Sequence, residues 1–321
     1  TAALAAEFGE GGAAGAGGGI DEKNVGVAAV VVGAAAVGAV VLAKGAGAIV
    51  AERDGREGDV GELGVAVGGE IEDAEPDWNP QNSDGKFLGQ QTLTSGLVQS
   101  RNTMTIRVGN FAGLDRVLNT LGDAGIGNHL TRTPQVFIGN LGGNPKELTS
   151  AFSIFPNEGV RRRPFLIDRI TDKAGNILYS TGIIEVEVLT PGVAHLMRRI
   201  LSQVMEKGTA ASVRSQHGFK ETGGGKTGTT NDYKDAWFAG YTDRVTCGVW
   251  VGLDKPQTII DEGYGSRLSI PIWADVMKKA VEIGYIPPGP RTEPPLTKVA
   301  LCRLSSQLAT PMCQANGTAY E

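Results

Sequence analysis

Hydroxyl and thiol side chains are missing from the first quarter of the chain. Between Ala2 and Asn82 there is no Ser, Thr, Cys or Tyr, so that stretch supplies no side-chain alcohol or thiol for nucleophilic catalysis. Cysteine is scarce throughout. Three in 321 residues exclude a disulfide-dense scaffold. Three histidines, with no Cys/His cluster at ligand spacing, leave little material for a zinc site, and no metal is expected. A surplus of positive charge is also missing. With 30 basic and 35 acidic residues the formal net charge is −5, which argues against a general nucleic-acid binder.

What is present is globular in composition, with 41% hydrophobic and 20% charged residues, and 321 residues fit one large or two modest domains. The distribution is lopsided. Residues 1–70 hold 18 Gly and 18 Ala, and residues 1–24 read as flexible low-complexity sequence. Residues 51–77 carry ten acids against Arg53 and Arg56, so the acidity is local. Val25 to Ala43 is an uncharged run of 19 residues. Its length suits a bilayer-spanning helix, yet it is Val, Ala and Gly with a single Leu. Gly33 and Gly38 interrupt it, and two short buried strands, Ala28–Val32 and Ala39–Ala43, joined by a turn near Gly33–Gly38, are preferred over a membrane span. No signal peptide with a basic start and a small-residue cleavage site is recognisable. Cys302 and Cys313 leave a disulfide and reduced thiols equally open, and Cys247 fits a small buried strand residue.

Residues 78–90, WNPQNSDGKFLGQ, carry the Pro, Asn, Asp and Gly of a loop. A short helix is predicted from Thr92 to Gln99, then a break at Ser100-Arg101-Asn102, then a helix from Leu114 to Leu121. Asn144-Pro145-Lys146-Glu147 is a helix start with an Asn cap, Pro first and an acid third; that helix is expected to run through Phe155. Phe165–Ile170 and Asn176–Tyr179 read as a hairpin. A helix opens at Thr190-Pro191 and stops at Gly208, with Val193, Met197, Ile200, Leu201 and Val204 on one face. Three strands follow at 226–230, 236–242 and 245–252. A last helix is expected from Ser269-Ile270-Pro271 to Val281, and a Pro-rich tail after it.

The most specific motif is Lys226-Thr227-Gly228-Thr229-Thr230. A phosphate loop would need Gly where Lys220 stands and a helix after the Lys. Here the sequel is DAWFAGYT and GVWVGLD, which is strand chemistry. On a strand the same residues serve another purpose. Gly lets a ligand approach the backbone, Thr hydroxyls beside a Lys suit a carboxylate, and a free strand N–H can point at a developing oxyanion. Together with Ser100-Arg101-Asn102 upstream, this set resembles the serine acyl-transferases known by S-x-x-K, S-D-N and K-T-G motifs. The resemblance is strongest to the transpeptidase domain of class A, bifunctional penicillin-binding proteins. It runs from Trp78 to Cys313 through WNPQNSDGKFLG, LVQSRNTMTIRVG, NPKELTSAFSIFPNEG, GKTGTTNDYKDAWFAGYT and GVWVGLD.

The resemblance implies an α/β (α+β) three-layer fold, with about five mostly antiparallel strands between helices. It implies three parts: 1–24 low-complexity, 25–285 transpeptidase with 44–77 atypical, and 286–321 a Pro-rich tail. The implied activity is peptidoglycan D,D-transpeptidation through a serine acyl-enzyme, with β-lactams acylating the same serine and no cofactor. Implied partners are stem peptides and lipid-linked precursors. The implied place is the periplasmic side of the cytoplasmic membrane, through an upstream anchor. In this scheme Ser100 shares the proton network, Asn102 binds the substrate peptide, and Lys226 pairs with Ser100. Thr227 and Thr229 bind the donor carboxylate across Gly228, and the Thr229 N–H is half of an oxyanion hole. The nucleophile is not identifiable. The family's Ser-x-x-Lys falls here near residues 35–50, where no hydroxyl exists. Ser83-Asp84-Gly85-Lys86 matches literally, but Asp-Gly is turn chemistry and marks Ser83 as a decoy. A non-catalytic cell-wall or peptide-binding module is therefore the alternative, ahead of a β-lactamase or a nucleotide binder. The expected roles elsewhere are bland: a solvated turn at Arg161–Arg163, a surface loop at His217, a strand end at Asp235, core packing for Trp237 and Trp250, and none for His195.

Overall fold

A computed structural model describes residues 25–28, 65–68, 78–127, 131–285, 301–302, 310–317 and 319–320. In chain order the strands and helices begin with β1 (Val25–Ala28), β2 (Val65–Gly68), β3 (Gly89–Thr92), α1 (Leu93–Val98), α2 (Asn102–Ala112), α3 (Leu114–Asp123) and α4 (Pro145–Phe152). Then come β4 (Val160–Arg162), β5 (Arg169–Thr171), β6 (Ile177–Ser180), β7 (Glu185–Glu187), α5 (Pro191–Lys207) and α6 (Ser212–Ser215). The chain continues through β8 (Gly223–Thr229), β9 (Asp235–Thr242), β10 (Thr246–Leu253) and α7 (Gly265–Glu282). Last are β11 (Leu301–Cys302), α8 (Pro311–Ala315) and β12 (Ala319–Tyr320).

The central sheet has the order β1-β10-β9-β8, antiparallel at every step. Strand β9 explains why helices cover both faces. Successive side chains of a strand point to opposite sides, and here both sets are buried. Trp237, Ala239 and Tyr241 join one core with Leu97, Ile106, Phe152, Phe155, Met197 and Leu201. Ala236 and Phe238 join a second with Phe219, Ile270, Trp273 and Met277. Helix α5 lies along β8, and α7 crosses β9 and β10. The result is the expected helix–sheet–helix arrangement with its mixed α and β content. Trp237 and Trp250 pack against each other in the strand layer, their rings tilted by 41° with centroids 5.8 Å apart.

Several elements fall where their local chemistry places them. Asn144 caps α4 by accepting from the Glu147 amide at 3.1 Å, with Pro145 at the first position. Thr92 caps α1 through the Ser95 amide at 3.1 Å. Helix α5 runs from Pro191 to Lys207, with Gly208 just past its end.

Other expectations need correction. The helix at 145 ends at Phe152, and the chain turns through Phe155. Helix α2 was not expected, because Thr and Asn are poor helix formers. Its buried hydroxyls are satisfied within the fold: Thr105 Oγ1 donates to the Arg101 carbonyl at 3.1 Å, and Thr103 Oγ1 accepts from Asn82 Nδ2 at 3.4 Å. Helix α7 starts four residues before Ser269 and takes Pro271 into its interior. The start is set by Gly265, where a Cβ would come within 2.2 Å of the Trp237 carbonyl oxygen and 2.6 Å of that of Gly228. Only glycine lets the helix begin this close to the sheet. Arg161–Arg163 is not a turn. Its first two residues lie in β4, paired with β7.

Strand β1 begins earlier than the strands expected at 28–43, and residues 29–43 lie outside the described residues. The second expected strand of that pair, the low-complexity 1–24 and most of 44–77 and of the tail lie outside them too. Among the described residues no helix is long and apolar enough to cross a membrane.

The second core is centred on Trp273. Its ring meets Phe219 and Phe238 edge-on, both at 5.1 Å, and its indole N–H donates to the Cys247 carbonyl at 3.1 Å. Trp273→Ala is expected to cost about 3–5 kcal/mol in denaturant unfolding. A loss under 1 kcal/mol would contradict this packing.

Candidate active site

The site begins with how α1 ends. The Arg101 amide donates to the Gly96 carbonyl at 2.8 Å, and the Ser100 amide to that of Leu97 at 3.1 Å. This is the double bond of a Schellman cap. The residue at its left-handed position is usually Gly, and here it is Ser100 with φ 56°. A side chain in that conformation carries a strain of about 1 kcal/mol. In return, its hydroxyl projects from the break between α1 and α2 toward β8.

Lys226 meets it there. Lys226 lies on β8, is 2% exposed, and donates from Nζ to Ser100 Oγ at 2.8 Å and to the Thr227 carbonyl at 3.1 Å. Burial disfavours the ammonium and lowers its pKa from 10.5 to about 7. Near neutrality this lysine can therefore hold or release a proton, which a surface lysine cannot.

The break is held from outside by Arg101, the middle residue of the motif. Its buried guanidinium donates to Asp84 Oδ2 at 2.8 Å and to the Lys86 carbonyl. The Arg101 hydrogen bond, then that from the Lys86 amide, holds the Asp84 carboxyl below its usual range. Asn102 Nδ2 donates to the Gln81 carbonyl at 2.8 Å, which leaves Oδ1 to accept from a ligand. Asn82 donates to the Lys86 carbonyl at 2.9 Å. Loop 81–86 is thus a clasp, and Ser83 sits exposed in its turn, closed by the Gly85 amide on the Asn82 carbonyl at 2.8 Å.

Beyond Lys226 the strand presents Thr227, Gly228 and Thr229. Strand β8 is an edge of the described sheet, so alternate N–H groups have no strand partner. Thr227 Oγ1 lies 2.7 Å from Thr209 Oγ1. Thr229 Oγ1 accepts from the Gly265 amide at 3.1 Å, which keeps its own hydrogen free to donate. The turn after β8 is buckled by Asp235. Its carboxylate accepts from Thr230 Oγ1 at 3.0 Å and from the Trp250 indole at 2.8 Å. Asp235 is the strand end expected of it, and it also braces the site.

The structure brings Ser100, Lys226 and Thr227 together by direct contact or adjacency, with Asn102 on the next helix and Thr229 further along the strand. His217 lies half-buried in the turn after α6, outside this group. Lys226 sits within a strand rather than in a loop before a helix, which removes the phosphate-loop reading. Among the described residues no three His, Cys, Asp or Glu side chains could hold a metal together. Sequence reasoning missed Thr209 and Gly265. Thr209 could be found only from its place after the helix stop at Gly208, and Gly265 carries no local signal.

Residues 66–278 match the penicillin binding protein transpeptidase domain family. The chain belongs to this family. It is 30% identical over 244 residues to penicillin-binding protein 1A of Rickettsia bellii, covering 69% of this chain and 29% of that protein. With penicillin-binding protein 1A of Neisseria lactamica it shares 33% over 211 residues, 64% of this chain and 26% of the other. The chain thus spans under a third of the length of these relatives. The crystal structure of penicillin-binding protein 1A from Haemophilus influenzae superposes with a TM-score of 0.71 at 22% identity, over 88% of this chain and 46% of that one. PonA1 from Mycobacterium tuberculosis, solved in complex with penicillin V, gives 0.67 at 20%, over 88% and 75%. Fold and family therefore agree with the class A resemblance of the motifs, and the domain is that of a penicillin-binding transpeptidase.

Two expected outcomes follow from the geometry. Ser100→Gly relieves the left-handed strain while Ser100→Ala does not, so the Gly variant should be more stable by about 1 kcal/mol in denaturant melts; equal stabilities would contradict the cap. The Lys226 side chain should titrate near pH 7 by carbon-13 NMR of its Cε. Because its folded pKa is depressed, the cost of burying the cation is present in full below pH 7 and relieved between about 7 and 10.5. Any stability advantage of Lys226→Met over the parent should therefore shrink as pH rises through that window.

Proposed function

We propose that this domain is a serine-type D,D-transpeptidase of peptidoglycan. In this reading a serine hydroxyl attacks the carbonyl of a D-Ala-D-Ala stem peptide, an ester forms, and D-alanine leaves with a proton. An amine of a neighbouring stem then attacks the ester, and the serine oxygen recovers its proton. The observation that carries the reading is the 2.8 Å contact between buried Lys226 Nζ and Ser100 Oγ. It couples a lysine poised near neutrality to a hydroxyl, and this pair can relay the proton between nucleophile and leaving amine.

The remaining groups fit the same chemistry. Asn102 Oδ1 accepts from the donor peptide N–H. The Thr227 and Thr229 hydroxyls donate to its terminal carboxylate, or to that of a β-lactam, and the Thr229 N–H faces the oxyanion. Gly228 keeps the strand bare for the ligand. Residues 25–285 form the transpeptidase unit, working on stem peptides of lipid-linked precursors at the periplasmic side of the membrane, through an anchor outside the described residues.

The nucleophile is the open part of the scheme. No hydroxyl lies between Ala2 and Asn82, and Ser83 sits in an exposed turn. That observation favours a second reading, a peptide-binding module that keeps the pocket and lacks the attack. Intact-mass measurement with benzylpenicillin separates the two. The enzyme gives a stoichiometric acyl adduct whose peptide maps away from Ser83–Lys86, and Lys226→Met slows its formation by about 100-fold or more. A mass matching these 321 residues with no adduct leaves the binding module.

A further inference from the structure

A second concave site lies beside α4 and shares no residue with the Ser100–Lys226 group. Gly125, Lys146, Glu147, Ser150, Arg161, Arg163 and Pro164 line an open depression of about 170 Å³. Three of these side chains are cations. Among the described residues none of the three has an ion-pair partner, whereas Arg162 between two of them pairs with Glu185 at 2.7 Å. Arg161 Nε is buried and has no hydrogen-bond acceptor among the described residues. Buried donors in native proteins are almost always matched, so this one is short of an oxygen.

The guanidinium is also fixed in place. Gly125 has φ +87°, and a Cβ there would stand 2.5 Å from Arg161 Nη1, so the arginine lies directly on a bare stretch of backbone. Ser150, 8% exposed, donates to the Arg162 carbonyl at 3.4 Å and ties the helix to β4. With Glu147 as the one lining carboxylate, the lining carries two net positive charges.

We propose that this cleft binds a phosphate-class oxyanion. A planar carboxylate is satisfied by one guanidinium, whereas three cationic groups around a small cleft suit a tetrahedral ion with several acceptor oxygens. The charge of the cleft also matches the roughly −1.5 to −2 of a phosphate group near pH 7. The site stands independently of the transpeptidase reading, because none of its residues serves that chemistry.

The test is a titration of the nitrogen-15-labelled protein with inorganic phosphate at fixed ionic strength, read at the Arg Nε–Hε resonances. The Arg161 signal should shift saturably. Lys146→Ala and Arg163→Ala, both at exposed positions, should each weaken binding by about tenfold, with melting temperature unchanged. Vesicles of phosphatidylglycerol, compared with phosphatidylcholine, identify the source. A response to free phosphate assigns a soluble anion, and a response to phosphatidylglycerol alone assigns a lipid phosphate. No saturable shift with either, an equal response to acetate, or unchanged affinity in both variants overturns the proposal.

Discussion

The contact between Lys226 and Ser100 is the constraint around which the site is arranged. An ammonium taken out of water is costly unless its environment compensates, and here the partners are a hydroxyl and a carbonyl rather than a carboxylate. The lysine must sit on a strand, be covered by α1 and α5, and meet a hydroxyl from a break between two helices. Each of these demands has its own support. The Schellman cap aims Ser100, the Arg101 clasp holds the break, and the Thr209 hydroxyl meets Thr227 on the same strand. Removing any one support alters the setting of the lysine.

The same logic explains why strand β9 is buried on both faces. An edge strand with one side unpaired gains little support from the sheet itself. Rigidity is supplied one strand inward, where Trp237, Phe238 and Tyr241 lock into cores on opposite sides. The Asp235 buckle then transmits that rigidity to the end of β8, through Thr230 on one side and Trp250 on the other. Gly224 leaves β8 thin enough for α5 to lie close, where a Cβ would come within 3.0 Å of Leu201.

Much of this was legible in the sequence, for identifiable reasons. Helix starts with a capping residue and Pro, as at Asn144-Pro145 and Thr190-Pro191, signal themselves locally. So does strand alternation at 236–242. Lys226, Thr227 and Ser100 could be singled out because their motifs are ordered along one chain. What escaped was whatever depends on a partner far away in sequence. Helix α2 is held by Asn82 rather than by its own propensity. Helix α7 starts where Gly265 can approach the sheet, and Thr209 matters only because Thr227 lies across from it. Arg161–Arg163 read as a solvated turn because nothing nearby announces Glu185–Glu187 as a strand partner. The apolar run at 25–43 stayed ambiguous by pattern, and only its first four residues are placed, in the central sheet.

The depressed proton affinity of Lys226 is not a property of the lysine alone. It exists only while the site keeps Nζ buried against Ser100 and away from water. If the cleft parts enough to hydrate that nitrogen, the ammonium regains its ordinary basicity and the lysine takes up a proton from neutral solution. Opening of the cleft and uptake of a proton are therefore thermodynamically linked, and acid favours the open form. The protonation state of one buried side chain thus records whether the walls of the site are together or apart.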